Sequence, residues 1–242
     1  MPGTHALPTE VLPQSVDLNA DLGEEITDDA GLLGVVTSAN VACGYHAGSV
    51  AIMHRVCAEA AARGVAIGAQ VSYADRAGFG RVAREVASEV LREQVADQVG
   101  VLGRIAEVEG TSVRYVKAHG ALYHRVLHDP VQAGALLAGS GGLPVLTMRG
   151  AVVAEQAAAV GRRVFREGFP DRAYTSEGLL VPRSEPGAVL SDERAVIDQA
   201  IGLASAVDSL CVHGDHPGAV ARAHAVRAAL EAVGIKVAAP NW

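Results

Sequence analysis

Strand-like and helix-like segments alternate along this 242-residue chain in seven consecutive pairs, and that order restricts it to very few folds. Strands are expected near 15–21, 37–43, 65–71, 112–118, 143–147, 163–167 and 208–213. Helical patterns fill the intervals near 28–35, 50–63, 86–109, 129–139, 149–160, 192–205 and 217–233. Punctuation supports several of them: Ser49 suits an N-cap and Gly64 a stop, while Asp129 caps a helix with Pro130 in its first position. Gly110 and Gly234 close two more, and Ser191 or Asp192 opens the penultimate one. Successive βα units make neighbouring strands parallel, in a closed barrel or an open doubly wound sheet. No Gly-x-Gly-x-x-Gly follows the first strand, which disfavours a dinucleotide-binding sheet. The expected fold is therefore α/β, an irregular seven-stranded (β/α) barrel in one domain spanning 1–242, since no linker or composition shift interrupts it. Residues 1–14 carry three prolines and Glu10 but no basic, then apolar, pattern; they read as a flexible arm rather than a signal peptide.

Charge narrows the function. The net charge is −7 and the cations are scattered, so no basic stripe for nucleic acid exists. Apolar runs stop short of bilayer-spanning length. Cys43, Cys57 and Cys211 sit in apolar segments without CxxC spacing, which fits buried reduced thiols in a cytoplasmic protein. Of the 20 basic residues only Lys117 and Lys236 are lysines, so Lys117 stands out as a site for ammonium chemistry.

Three strand-like runs end in polar residues two positions apart: Asn19 with Asp21, Lys117 with His119, and His213 with Asp215. Residues i and i+2 share a face of a strand, so each pair projects together, and parallel neighbours bring all six to one rim. Asp17, Asn19 and Asp21 all point inward on this reading, and Glu24 lies at the mouth or on the surface. His46 lies between Gly44 and Gly48, just ahead of a helix N-terminus. Lys117 suits a carboxylate, a phosphate or a polarised carbonyl, His119 proton transfer, and Tyr123 donation to an oxyanion. Asp215 is placed to orient His213 or to bind a cation. His124 and His128 default to the surface, and His216 opens a helix. The aperiodic stretch 168–190 is long enough to be functional, and within it Arg172, Tyr174 and Arg183 suit an anionic substrate. No serine elbow and no Walker A sequence is present. Residue chemistry alone reaches a hydrolase or lyase that works on a small anion by acid–base and electrostatic catalysis.

These segments resemble the LamB/YcsF family. The matching stretches are Val16–Glu24, Ser38–Gly48, Lys117–Tyr123, Phe169–Tyr174, Leu180–Ser184, Pro186–Val189 and Cys211–Ala219, in order along nearly the whole chain. The resemblance implies a deformed seven-stranded barrel of the glycoside hydrolase/deacetylase type. It implies opening of the lactam of 5-oxo-L-proline to L-glutamate, with ATP (as its Mg²⁺ complex) hydrolysed to ADP and phosphate, alongside partner subunits B and C. With the residue reading it nominates Asp21, His46, Lys117, His119, His213 and Asp215 for catalysis, and Asn19, Asn40, Tyr123, Arg172, Tyr174 and Arg183 for substrate. The segment Glu25–Asp29 is shorter than the family's, and His46-Ala47-Gly48-Ser49-Val50 replaces its His-Ala-Gly-Asp-Pro. Its Ala-His-Pro-Gly-Tyr-Pro-Asp is here Ala69-Gln70-Val71-Ser72-Tyr73-Ala74-Asp75. Related deacetylases use an Asp and two His for a metal, one near Gln70; an amide is a weak ligand, so no bound transition metal is expected. Two alternatives stay open: a deacetylase or amidase with Asp21, His46 and His213 around Zn²⁺, and a non-catalytic subunit that presents 5-oxoproline.

Overall fold

Parallel strands joined by helices have their hydrogen bonds satisfied on both edges only if the sheet closes, and here it does. The computed structural model describes residues 15–183, 185–215 and 218–242; the expected arm at 1–14 and the expected helix-opening His216 lie outside them. The strands are β1 Ser15–Leu22, β2 Ser38–Ala42, β3 Ala66–Val71, β4 Val113–Ala118, β5 Val145–Thr147, β6 Val164–Gly168, β7 Ser209–Cys211 and β8 Lys236–Val237. The helices are α1 Asp29–Leu33, α2 Val50–Arg63, α3 Ser88–Val108, α4 Gly120–Val126, α5 Pro130–Gly139, α6 Val152–Ala159, α7 Glu193–Ala204 and α8 Ala219–Ala232. Each of β1 to β7 pairs in parallel with its neighbours, and the β1–β2 and β1–β7 pairings complete a seven-stranded barrel. The irregular barrel is thus as expected. Two elements were not: α4, a single short stretch springing directly from His119, and β8, two residues beside the start of β1. Both are too short to carry a periodic signal.

Capping explains where the helices begin. Ser49, Asp129 and Asp192 each accept a backbone N–H of the first turn of α2, α5 and α7. Gly48 (φ +82°) turns the chain into α2 so tightly that a Cβ there would lie 2.9 Å from the Gly23 carbonyl oxygen. The outward faces of the strands (Leu18, Ala20, Leu22, Val41, Ile67, Ala69, Val116, Leu210) pack against Met53, Val56, Leu91, Val95 and Leu102 of the helices. Full burial of each such side chain contributes roughly 1.5–3 kcal/mol.

The inner faces are different. A β/α barrel usually fills its lumen with branched apolar side chains; this one holds a column of polar groups. Ser38 and Thr37 donate to Asp17 Oδ1 at 2.7 and 2.6 Å, and Ser209 donates to Asp17 Oδ2. Asn19 Nδ2 donates to Ser209 Oγ (2.6 Å), and Asn40 Nδ2 donates to Asn19 Oδ1 (2.7 Å) and Asp21 Oδ1 (2.8 Å). The Tyr115 hydroxyl donates to Asn40 Oδ1 at 2.6 Å. At the bottom, Trp242 stacks on Tyr115 with ring centroids 4.0 Å apart and donates from Nε1 to Ser38 Oγ. Among the described residues no helix is long and apolar enough to cross a membrane. All three cysteines are free and buried, though Cys211 faces the polar lumen rather than an apolar layer.

Candidate active site

At the C-terminal ends of the strands the column opens into a cavity of about 560 Å³, counting space open to solvent. Asp21, Glu24, Lys117, His119, Tyr123, Phe169, Arg172, Arg183, His213 and Asp215 line it, with Arg81 and His124 on its outer wall. Strand parity does the placing: Asp21 continues the inward face of β1, Lys117 that of β4, and His213 follows β7.

Lys117 is the electrostatic centre. Its Nζ lies 2.6 Å from Glu167 Oε1 and 3.2 Å from Asp21 Oδ1, with Cys211 Sγ also at 3.2 Å. Burial opposes its charge, but the Asp21 and Glu167 carboxylates keep its ammonium well above the ordinary lysine range. Burial likewise opposes the charge on Asp21, yet Lys117 and His119 hold its carboxyl well below the usual range. Glu167 is raised by burial, only partly offset by Lys117. Lys117 is therefore a fixed cation, not a free amine. Tyr123 donates to Glu167 Oε2 at 3.1 Å, and burial raises its phenol far above neutrality, so its proton is already committed.

The two histidines differ in what they can do. His119 Nε2 donates to the Phe79 carbonyl (3.1 Å), which leaves Nδ1 to accept from Gln70 Nε2 (2.9 Å); both nitrogens are engaged. Among the described residues His213 is bonded through Nδ1 alone, held at 2.8 Å by Asp171, which leaves the lone pair on Nε2. Burial opposes ionisation of Asp171, but His213 lowers it below the usual range. The expected pairing of His213 with Asp215 is thus corrected. Asp215 Oδ2 instead accepts from Arg81 and Arg183, and these offset burial to lower its carboxyl.

The remaining residues singled out divide between the cavity wall and the layers beneath it. Asn19 and Asn40 are fully buried one layer below the cavity, and their amides are consumed by the column. Tyr174 does not line the cavity: its hydroxyl accepts from the Phe169 backbone N–H at 2.7 Å. Arg172 does line it, aimed by the carbonyls of Ala188 and Val181. His46 is buried under His119, their rings stacked 4.1 Å apart at 15°. Glu24 is buried, not on the surface, and accepts from Gln70 Nε2 at 2.8 Å. Glu167, Asp171 and Arg81 were missed. Glu167 follows the inward parity of β6, but a single acid in an otherwise ordinary strand gave no motif. Arg81 sits on the 72–87 loop, one of many arginines in the sequence.

Metal chemistry of the deacetylase kind is tested by the donors themselves. Among the described residues Glu24, His46 and His119 bring ligand atoms within 4.8 Å of one another; the set Asp21, His46 and His213 does not form. His46 Nε2 and His119 Nδ1 lie 3.8 and 3.4 Å from the same Glu24 Oε1, and the two rings are stacked nearly parallel. The Gln70 amide N–H₂ also stands between Glu24 and His119, donating to both. As placed, Gln70 occupies Glu24 Oε1 and His119 Nδ1, so this set would hold an ion only after that amide moved aside.

With this geometry established, comparison with known proteins gives a consistent answer. Residues 16–241 match the LamB/YcsF family. The chain is similar to a Streptomyces avermitilis protein named as the A subunit of 5-oxoprolinase, 53% identical over 93% of this chain and 99% of that protein. It is also similar to the crystal structure of a lactam utilization protein from Thermus thermophilus, with a TM-score of 0.87 and 36% identity over 93% of this chain and 100% of that one. A peptidoglycan N-acetylglucosamine deacetylase catalytic domain from Eubacterium rectale shares the fold alone, at TM-score 0.52 and 11% identity, covering 97% of this chain and 93% of that one. Fold, cavity and sequence together make this chain a member of the LamB/YcsF family.

Proposed function

We propose that this chain is the A subunit of an ATP-dependent 5-oxoprolinase and opens the lactam of 5-oxo-L-proline to L-glutamate. The observation that carries the reading is a buried ammonium, Lys117, beside an Asp171-held histidine, His213, in a small cavity also lined by Arg172 and Arg183. The names of the Streptomyces and Thermus relatives point the same way.

The chemistry demands such a set. Amide resonance in an unstrained five-membered ring makes the lactam a poor electrophile. Transfer of a phosphoryl group from ATP to its carbonyl oxygen, with Mg²⁺ on the nucleotide and subunits B and C completing the assembly, activates the ring carbon. Arg172 grips the substrate carboxylate with its free guanidinium edge, and the Phe169 ring floors the cavity. His213 Nε2 takes a proton from water as the water oxygen bonds to the ring carbon. The ring C–N bond then breaks as the new hydroxyl gives up its proton and becomes a carbonyl; the leaving nitrogen takes that proton and the one held by His213, becoming the ammonium group. The γ-glutamyl phosphate so formed loses phosphate to a second water, giving glutamate. Lys117 stabilises the negative charge that develops on the water-derived oxygen as it becomes the carbonyl of the acyl phosphate. Asp171 fixes the His213 tautomer throughout.

Glutamate and phosphate release by the chain mixed with subunits B and C, 5-oxo-L-proline and ATP tests this. Equimolar products are expected, with a fall of about 10²–10⁴-fold for His213→Gln and a similar loss for Lys117→Met. Undiminished glutamate release by both variants would remove this mechanism.

A further inference from the structure

We propose that Arg81 and Arg183 form a phosphoryl-binding subsite at the mouth of the cavity, in which Asp215 is the resident anion that an incoming phosphoryl group displaces. The proposal rests on the ring-opening reading only for the identity of the phosphoryl carrier.

Three separate connections build this place. The loop 72–87 brings Arg81, the stretch after β6 brings Arg183, and the turn after β7 brings Asp215. Arg81 Nη2 and Arg183 Nη1 donate to one and the same oxygen, Asp215 Oδ2, at 2.8 and 3.2 Å. Two guanidinium forks on a single oxygen are poorly used, because each fork can bind two acceptors. One carboxylate also leaves an excess positive charge. The other acids lining the cavity offer no relief: Asp21 is held by Lys117 and Asn40, and Glu24 by Gln70. Arg172 adds another cation deeper in, and His124 lines the same wall.

A phosphoryl dianion answers this arrangement better than Asp215 does. Its several oxygens accept from both forks at once, and its second charge matches the second guanidinium. The Arg81 guanidinium lies over the Phe79 ring, 4.9 Å from its centroid, which limits the freedom lost on binding. The pairs are also weak enough to exchange, since Arg81 and Arg183 side chains are 43% and 31% exposed. The chain as a whole carries −7, so attraction of an anion here is local.

Isothermal titration of the isolated chain with inorganic phosphate tests the subsite directly. Asp215→Asn should bind phosphate roughly five- to tenfold more tightly than wild type, the gain from losing one competing, partly exposed ion pair. Arg81→Met and Arg183→Met should each weaken it by about tenfold. Circular dichroism melts confirm that the variants fold, and Arg81→Met alone suffices if Arg183→Met does not. Phenyl phosphate and ADP as competitors separate a phosphorylated substrate from a nucleotide as the carrier. Phosphate affinity unchanged by Asp215→Asn and Arg81→Met overturns the subsite, even where glutamate release proceeds. Phosphate binding that follows these residues, with no glutamate formed alongside any partner, leaves the subsite standing and removes the ring-opening reading.

Discussion

Single side chains in this barrel are governed by what burial does to charge. Asp17 shows it most plainly, since it is fully enclosed, its donors are three neutral hydroxyls, and Glu167 adds repulsion. Burial pushes its carboxyl from 3.8 up to about 6. The folded protein therefore holds a proton that the unfolded chain releases in this range, and stability falls as pH rises from about 4 to 6 and stays lower above. A shift of about two units corresponds to roughly 3 kcal/mol. Asp17→Asn should lack that decline, so its urea-unfolding free energy should gain on wild type between pH 4 and 6. A wild-type-minus-variant difference that is flat with pH would contradict this account. Lys117→Met should also cost about 3–5 kcal/mol of stability, because Asp21 and Glu167 would be left buried without their cation.

Between elements, the lumen works because strands of fixed register exchange volume. Gly68 on β3 lies in register with Tyr115 on β4, and a Cβ at Gly68 would sit 2.2 Å from the Tyr115 ring. Gly68→Ala should therefore destabilise by roughly 1–3 kcal/mol through overpacking. Combined with Tyr115→Leu the loss should be less than the sum of the two single losses in chemical denaturation; simple additivity would show that the two strands do not share this space. The same register made part of the site legible beforehand. Asp21 and Lys117 were readable as inward partners because period-two alternation needs only local sequence. Asp171 was not readable, because its approach to His213 depends on how an aperiodic stretch folds over β7. Glu167 was hidden for a related reason: parity marks it as inward, but only the closed barrel sets it against Lys117.

Taken whole, the molecule has a reactive upper end and a sealed lower one. Trp242, 8% exposed, closes the lower end against Tyr115 and Phe165, at ring-centroid distances of 4.0 and 4.6 Å. Trp242→Ala should lower stability by about 3–5 kcal/mol while glutamate release below the melting temperature is kept, since the cavity lies at the other end. A melting temperature unchanged by that truncation would show that the plug contributes nothing. The sequence by itself determined the alternation of strands and helices, their parallel order and the inward parity along each strand. These follow from hydrophobic period and capping, which act over a few residues. Only the tertiary structure decided which acid serves which base: Asp171 with His213, Asp215 with Arg81 and Arg183, and Gln70 between Glu24 and His119. Such pairings join residues far apart in the chain, and a hydrogen bond is settled by positions to within a few tenths of an ångström, which no local pattern encodes.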